Sequence, residues 1–176
     1  MLLRPRDFTP PLRPIAGVPG DSLECKPLDQ SALVLTGEAA SQLAAEFTAA
    51  YTLVGSTARL YATGAQSASA WSGMTSAAGM TCFRAALAQQ SAPGVKPLSF
   101  TRIPFPRVAP ATVAFRTRVA LQGLVGQSDA VLLRNGRAQV GVVFLRLPSS
   151  FPRAEEVRLA RIAAARMATA LRRRSR

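Results

Sequence analysis

The clearest pattern along the chain is an alternation of period two. From Thr112 to Leu121, the residues Val113, Phe115, Thr117, Val119 and Leu121 alternate with Thr112, Ala114, Arg116, Arg118 and Ala120. Successive side chains of a strand point to opposite faces, so this reads as a strand with a core face and a second face carrying both arginines. Two apolar runs follow, Ala130–Leu133 and Ala138–Leu145, separated by Arg134-Asn135-Gly136-Arg137. Asn-Gly tolerates positive φ at both central positions of a tight turn, so the pair predicts a hairpin centred on Asn135-Gly136. The second run is apolar on both faces, which predicts an interior strand shielded on each side.

The helical signals sit on either side of this sheet. Residues 65–90 are rich in alanine, and Gly73 and Gly79 interrupt them. They predict two helices anchored by Trp71, Met74, Phe83 and Leu87. After Pro148 and Pro152, the residues Leu159, Ala160, Ala163, Met167, Ala170 and Leu171 fall on one arc of a helical wheel. Arg158, Arg161 and Arg172 lie opposite, with Arg166 and Arg173 at the boundary, as in a surface helix packed on a sheet. Ser150 is the expected cap, and Glu155 and Glu156 suit the positive end of the helix dipole.

Shorter signals complete the order. Residues 1–30 hold Pro5, Pro10, Pro11, Pro14, Pro19 and Pro27 and predict an extended arm pinned by residues such as Leu3 and Phe8. Leu43–Leu53 fits helix or strand, whereas Ser56–Tyr61 reads as extended after a turn or bulge at Gly55. Another strand is expected through Leu98–Ile103. The expected organisation is an arm (1–30), one domain (31–171) and a basic tail (172–176). Its class is α+β: a curved antiparallel sheet, a central helical pair, and a C-terminal helix packed on one face.

Composition then narrows the chemistry. The 176 residues contain no histidine, which removes the usual general base and the commonest transition-metal ligand. Serine or cysteine triads and histidine-containing zinc sites go with it. Ser67, Ser69, Ser72 and Ser76 have no base near them in sequence and read as caps and packing residues. Asp129 reads as a turn residue, and Glu155 and Glu156 as adjacent carboxylates that do not face one another. A non-catalytic protein without cofactor or metal is the expectation.

Net charge is +13, and its distribution is uneven. Residues 1–90 balance Lys26, Arg4, Arg6, Arg13, Arg59 and Arg84 against Asp7, Asp21, Glu24, Asp29, Glu38 and Glu46, so residues 91–176 carry the excess. Arg116, Arg118, Arg134 and Arg137 form a candidate patch for phosphate or carboxylate groups, weighed against an ordinary solvated face. No aromatic platform is interleaved with them, so nucleic acid is the weaker partner, and the arginine-rich end offers peripheral contact with anionic lipid. Cys25 and Cys82 are a disulfide in an oxidising compartment and two unrelated thiols in a reducing one. With Met1 as the true start, the chain reads as cytoplasmic.

The segments "AVLLRNGRAQVGVVFLRLPS", "EEVRLARIAAARMATAL", "LLRPRDF" and "TARLYATGAQSASAWSGM…TCFRAAL" resemble the extracytoplasmic sensor-like domain of actinobacterial proteins. That group includes the sensor domain of a mycobacterial serine/threonine kinase and related lipoproteins. The resemblance implies a ligand-binding or sensor-like module of the cell envelope with an unidentified small or anionic ligand or envelope-protein partner. It also favours export and pairing of Cys25 with Cys82. The other readings carried from the residues are a structural or protein-interaction domain and a cytoplasmic nucleic-acid-associated basic protein.

Overall fold

The computed structural model of the protein describes residues 1–8, 14–15, 43–48, 50–89, 95–121 and 124–173. Its strands are β1 (Pro14–Ile15), β2 (Leu43–Thr48), β3 (Ala50–Leu60), β4 (Val95–Ile103), β5 (Ala111–Leu121), β6 (Leu124–Asn135) and β7 (Ala138–Leu147). The helices are α1 (Gly64–Thr75), α2 (Ala77–Gln89) and α3 (Arg153–Arg173), with one 3-10 turn at Pro5–Asp7. The described strands form one antiparallel sheet in the order β1-β2-β3-β7-β6-β5-β4. The α+β class therefore stands, with β3 to β7 as its five long strands.

β7 is the central strand, as its two apolar faces predict. Val140, Val142 and Phe144 point into a core shared with Val131 and Leu133 of β6 and Leu159, Ala160, Ala163 and Met167 of α3. The arc of α3 that buries these residues is the arc the sequence marks. Leu3 and Phe8 of the N-terminal segment enter the same core. The Leu3 N–H donates to Ser56 Oγ at 3.0 Å, and Arg166 grips Asp7 at 2.5 and 2.7 Å. The remainder of the expected arm, residues 9–13 and 16–30, lies outside the described residues, as do residues 31–42.

The helical pair covers the other face. Val113 and Phe115 of β5 and Phe100 of β4 form a second core with Trp71, Met80, Phe83 and Leu132. Phe100 stacks on Phe115 with ring centroids 5.4 Å apart and meets Phe83 at 5.1 Å. Helices thus stand on both sides of the sheet, where the sequence had suggested one side. Cover on both sides agrees with the run that is apolar on both faces of β7. Met80 takes the anchoring role expected of Met74.

Local chemistry sets the boundaries. Thr63 caps α1 with a reciprocal box: its Oγ1 accepts from Gln66 N at 3.1 Å, and Gln66 Oε1 accepts from Thr63 N at 3.2 Å. Ser76 ends α1 and starts α2, its Oγ accepting from Gly79 N at 3.0 Å. A side chain at Gly79 would collide with the Gly73 carbonyl oxygen, so the close approach of the two helices requires glycine at 79. Gly79→Ala is expected to cost about 1–3 kcal/mol through overpacking. Urea unfolding followed by Trp71 fluorescence measures it.

Three expectations shift by a residue or two. β3 runs through Gly55, which pairs with Val143 without a bulge, whereas the irregularity of the sheet falls at Pro97/Ser99 in edge strand β4. The β6–β7 turn is centred on Gly136-Arg137, with Asn135 paired to Ala138 and Gly136 at φ 54°. Centring it on Asn135-Gly136 would set Arg134 directly opposite Arg137. Like charges across a ladder repel, so the shift that pairs Arg134 with Gln139 is preferred. At α3, the Pro152 carbonyl accepts from Glu155 N and Glu156 N at 3.0 and 3.1 Å, so Pro152 holds the capping position expected of Ser150.

Candidate functional site

A hollow on the described surface lies where α1 passes the open end of the β4–β5 pair. It has a volume of about 410 Å³ and is walled by Trp71, Arg102, Phe105, Arg107 and Thr112, among others. A neighbouring hollow of about 430 Å³ shares Arg102, Phe105, Thr112 and Val113 and extends over Pro104 and Ala114. Together they make one groove. Its floor is the start of β5, one wall is α1, and the other is the connection 104–110.

That connection is held by its own polar groups and by proline. Pro104, Pro106 and Pro110 each fix φ. The Arg107 Nη2 donates to the Pro110 carbonyl at 2.7 Å, and Ala109 N donates to Thr112 Oγ1 at 3.1 Å. Arg107 is thereby drawn along the rim, and Arg102 is exposed beside it. Trp71 is half-buried and is the only tryptophan in the protein. An indole with two guanidiniums offers a π face and up to two bidentate donors, a set that suits an anion with a planar or apolar part.

The second wall is tied to α3. Arg153 Nη2 donates to the Pro104 carbonyl, and the guanidinium lies over the Phe105 ring, 4.2 Å from its centroid. The Nη1 of the same group is 2.9 Å from Glu156 Oε2. Glu156 is buried under α3, where it meets Asp129 of β6, itself 1% exposed. Asp129 accepts both donors of Arg116 at 2.9 and 2.7 Å. Burial pushes the Glu156 carboxyl up to about 7; Arg153 opposes the rise and Asp129 adds to it.

These contacts correct several expectations. Asp129 lies within β6, not in a turn; Glu155 and Glu156 both stand in the first turn of α3, as expected, and Glu156 also faces Asp129. Glu155 alone stays outside, paired with Arg158 at 2.5 Å. Arg116 on that face of β5 is not simply solvated, because the buried Asp129 engages it. The predicted arginine patch is divided. Arg116 and Arg118 lie on the α3 side, with Arg118 exposed. Arg134 points to the helical pair, where its Nε donates to Ser67 Oγ at 3.3 Å, and Arg137 sits in the turn.

Ser67 is a packing residue, as expected. It is buried, and Gln139 Nε2 donates to its carbonyl at 2.7 Å while Tyr61 donates to Gln139 Oε1. This chain of bonds fixes α1 over β7 and so places Trp71. Among the described residues, no group of histidine, cysteine, aspartate or glutamate is arranged to hold a metal. Cys82 is half-buried on α2 and is not free. It is the one cysteine among the described residues, since Cys25 lies outside them. The expected Cys25–Cys82 pairing falls on Cys25 and so lies outside the described residues.

Sequence reasoning missed the groove because Trp71, Arg102 and Arg107 come from three separate elements. The one local signal was the proline-bracketed Arg107. Comparison with protein-family models, curated proteins and solved structures gives no match to this chain.

Proposed function

We propose that the protein is a non-catalytic, sensor-like binding module that takes a small anionic ligand, with a planar or apolar part, in the groove between α1 and residues 104–112. The observation that carries this reading is the placement of Trp71, Arg102 and Arg107 on one open hollow. No histidine exists to act as a base, and the buried carboxyls Asp129 and Glu156 lie under α3 instead of lining the groove. The residues at the groove can recognise a ligand and lack an evident means of transforming it.

Because Trp71 is the sole tryptophan, its emission reports occupancy directly. Titration with salicylate, with inorganic phosphate alongside, is expected to give a saturable change for the aromatic anion and a weaker one for phosphate. Arg102→Met and Arg107→Met should each weaken salicylate binding by roughly tenfold, the scale of one lost charge-assisted hydrogen bond. Emission that stays unchanged by either anion at millimolar concentration, with no change in their affinity on substitution, would sink the reading.

A second reading, a protein-interaction domain, rests on Leu98, Leu124 and Val125. They are 52%, 49% and 41% exposed, at the end of the β4–β5–β6 sheet away from the groove. Leu98→Ser with Leu124→Ser separates the two: under the first reading the salicylate titration is unchanged.

A further inference from the structure

Arg153, the first residue of α3, is the only link described between the groove wall and the buried acid pair. One end of its guanidinium bonds Glu156 at 2.9 Å, and the other bonds the Pro104 carbonyl while covering the Phe105 ring. Pro104 and Phe105 are groove residues. We propose that Arg153 is a proton-gated clamp on the groove, holding the 104–110 wall when the Glu156 carboxyl is ionised and releasing it when that carboxyl is protonated. The proposal deepens the binding reading and relies on it only for the consequence to a ligand.

The surroundings of Glu156 make two states available. From its own helix it meets Arg153; from β6 it meets Asp129; from β5, Arg116 adds its charge while bound to Asp129. From β7, Arg146 lies two register positions from Asp129, opposite Gln127, with its Nε buried and without a partner among the described residues. The Glu156 Oε1 is likewise buried without a partner. A proton on Oε1 would give it a donor toward the facing Asp129 carboxylate. Oε2 would then be a neutral acceptor, and its bond to Arg153 would lose its charge assistance.

Ionisation reverses both changes. Two carboxylates then share the site with Arg116 and Arg153, and Arg153 becomes the nearest counter-charge for Glu156. Drawn onto the helix, it brings the Pro104 carbonyl and the Phe105 ring with it. The wall stiffens, the face opposite Trp71 is fixed, and binding needs less ordering of the groove. The carboxyl's position near pH 7 places the change close to neutrality.

Amide exchange at Phe105, Arg107, Val108 and Ala109, corrected for intrinsic rates, tests the clamp without ligand between pH 5.5 and 8.5. Protection in the unsubstituted protein is expected to rise about tenfold with a midpoint near 7, the scale of one charge-assisted bond. Glu156→Gln keeps the neutral hydrogen bond to Asp129 and should show low, pH-independent protection. Arg153→Met should give the same low protection while the Glu156 carboxyl still titrates by carbon NMR. A flat profile in the unsubstituted protein, or a step that survives in Glu156→Gln, overturns the clamp. A clear step together with no response to salicylate would keep the clamp and discard the ligand reading.

Discussion

Phe144→Ala is expected to be among the most damaging single truncations in this domain, and its neighbour Val143→Ala among the mildest. Both lie on the central strand, one residue apart. Phe144 is fully buried on the α3 side, with its ring 5.2 Å from that of Phe151. Removing it leaves a cavity in a core that the helix cannot follow inward, because Leu159, Ala163 and Met167 already pack on the sheet. The cost should be about 3–5 kcal/mol, against roughly 5–15 kcal/mol of total stability for a typical domain. Val143 points to the opposite face, 40% exposed at a place the helical pair does not seal. Its truncation should cost about 0.5 kcal/mol or less. Thermal unfolding of the two variants reads the difference, which should be roughly 6 to 20 °C for Phe144→Ala. Equal effects would mean that the two faces of β7 are covered alike.

That contrast also marks how far the sequence could be read. The amphipathic arc of α3, the alternation of β5 and the doubly apolar β7 are legible because each is decided within one element. The acid pair joins two elements distant in sequence, and a local rule reads each member by its own neighbours. Asp129 was read by its nearness to the hairpin, although it is in phase with Val131 and Leu133, which face the core. Glu156 was read by its place at a helix start, although it stands three and four residues before Leu159 and Ala160 on the buried arc. Periodicity held the information in both cases. Burying a carboxyl is costly unless it is paired or protonated, and the partners cannot be seen without register: Arg116 stands directly opposite Asp129 in the β5–β6 ladder.

The arginine excess shows the same dependence on register. In the sequence it forms one basic half. In the fold, Arg116, Arg153, Arg158 and Arg166 are bound to Asp129, Glu156, Glu155 and Asp7. Arg166 and Arg158 bond the N-terminal segment to α3, Arg153 bonds Pro104, and Arg116 joins β5 to β6. Arg102 and Arg107, which the sequence did not single out, are the pair that the fold brings to an open hollow.

Stability should fall as pH rises from about 5 to about 8, contrary to the usual behaviour of a protein whose carboxylates are salt-bridged. The sign follows from Glu156. Burial first, and then Asp129, raise its folded value from 4.5 to about 7. Between those values the folded state holds a proton that the unfolded state has released, so its stabilisation is complete below 4.5 and is lost as pH passes 7. Arg153 stands against the rise, so the loss should be on the order of 2 kcal/mol. Two groups act oppositely at low pH. Burial pushes Asp7 upward, but bonds from Arg166 and the Arg4 N–H outweigh it, while Arg158 lowers Glu155. Their contribution is present above their unfolded values of 3.8 and 4.5 and is lost as pH falls through the folded ones. The Met1 amino group, lowered from 8.0 by burial and by Arg166 and Arg4, adds stability as pH rises toward 8. The measurement is therefore a difference, the urea-unfolding free energy of the unsubstituted protein minus that of Glu156→Gln across this range. Gln cannot ionise, so the difference should fall by on the order of 2 kcal/mol with its midpoint between 4.5 and 7. A constant difference would mean that Glu156 ionises in the folded protein as it does in the unfolded chain. Asp129 and Arg153 would then be holding a permanent anion, and no proton would be available to work the clamp.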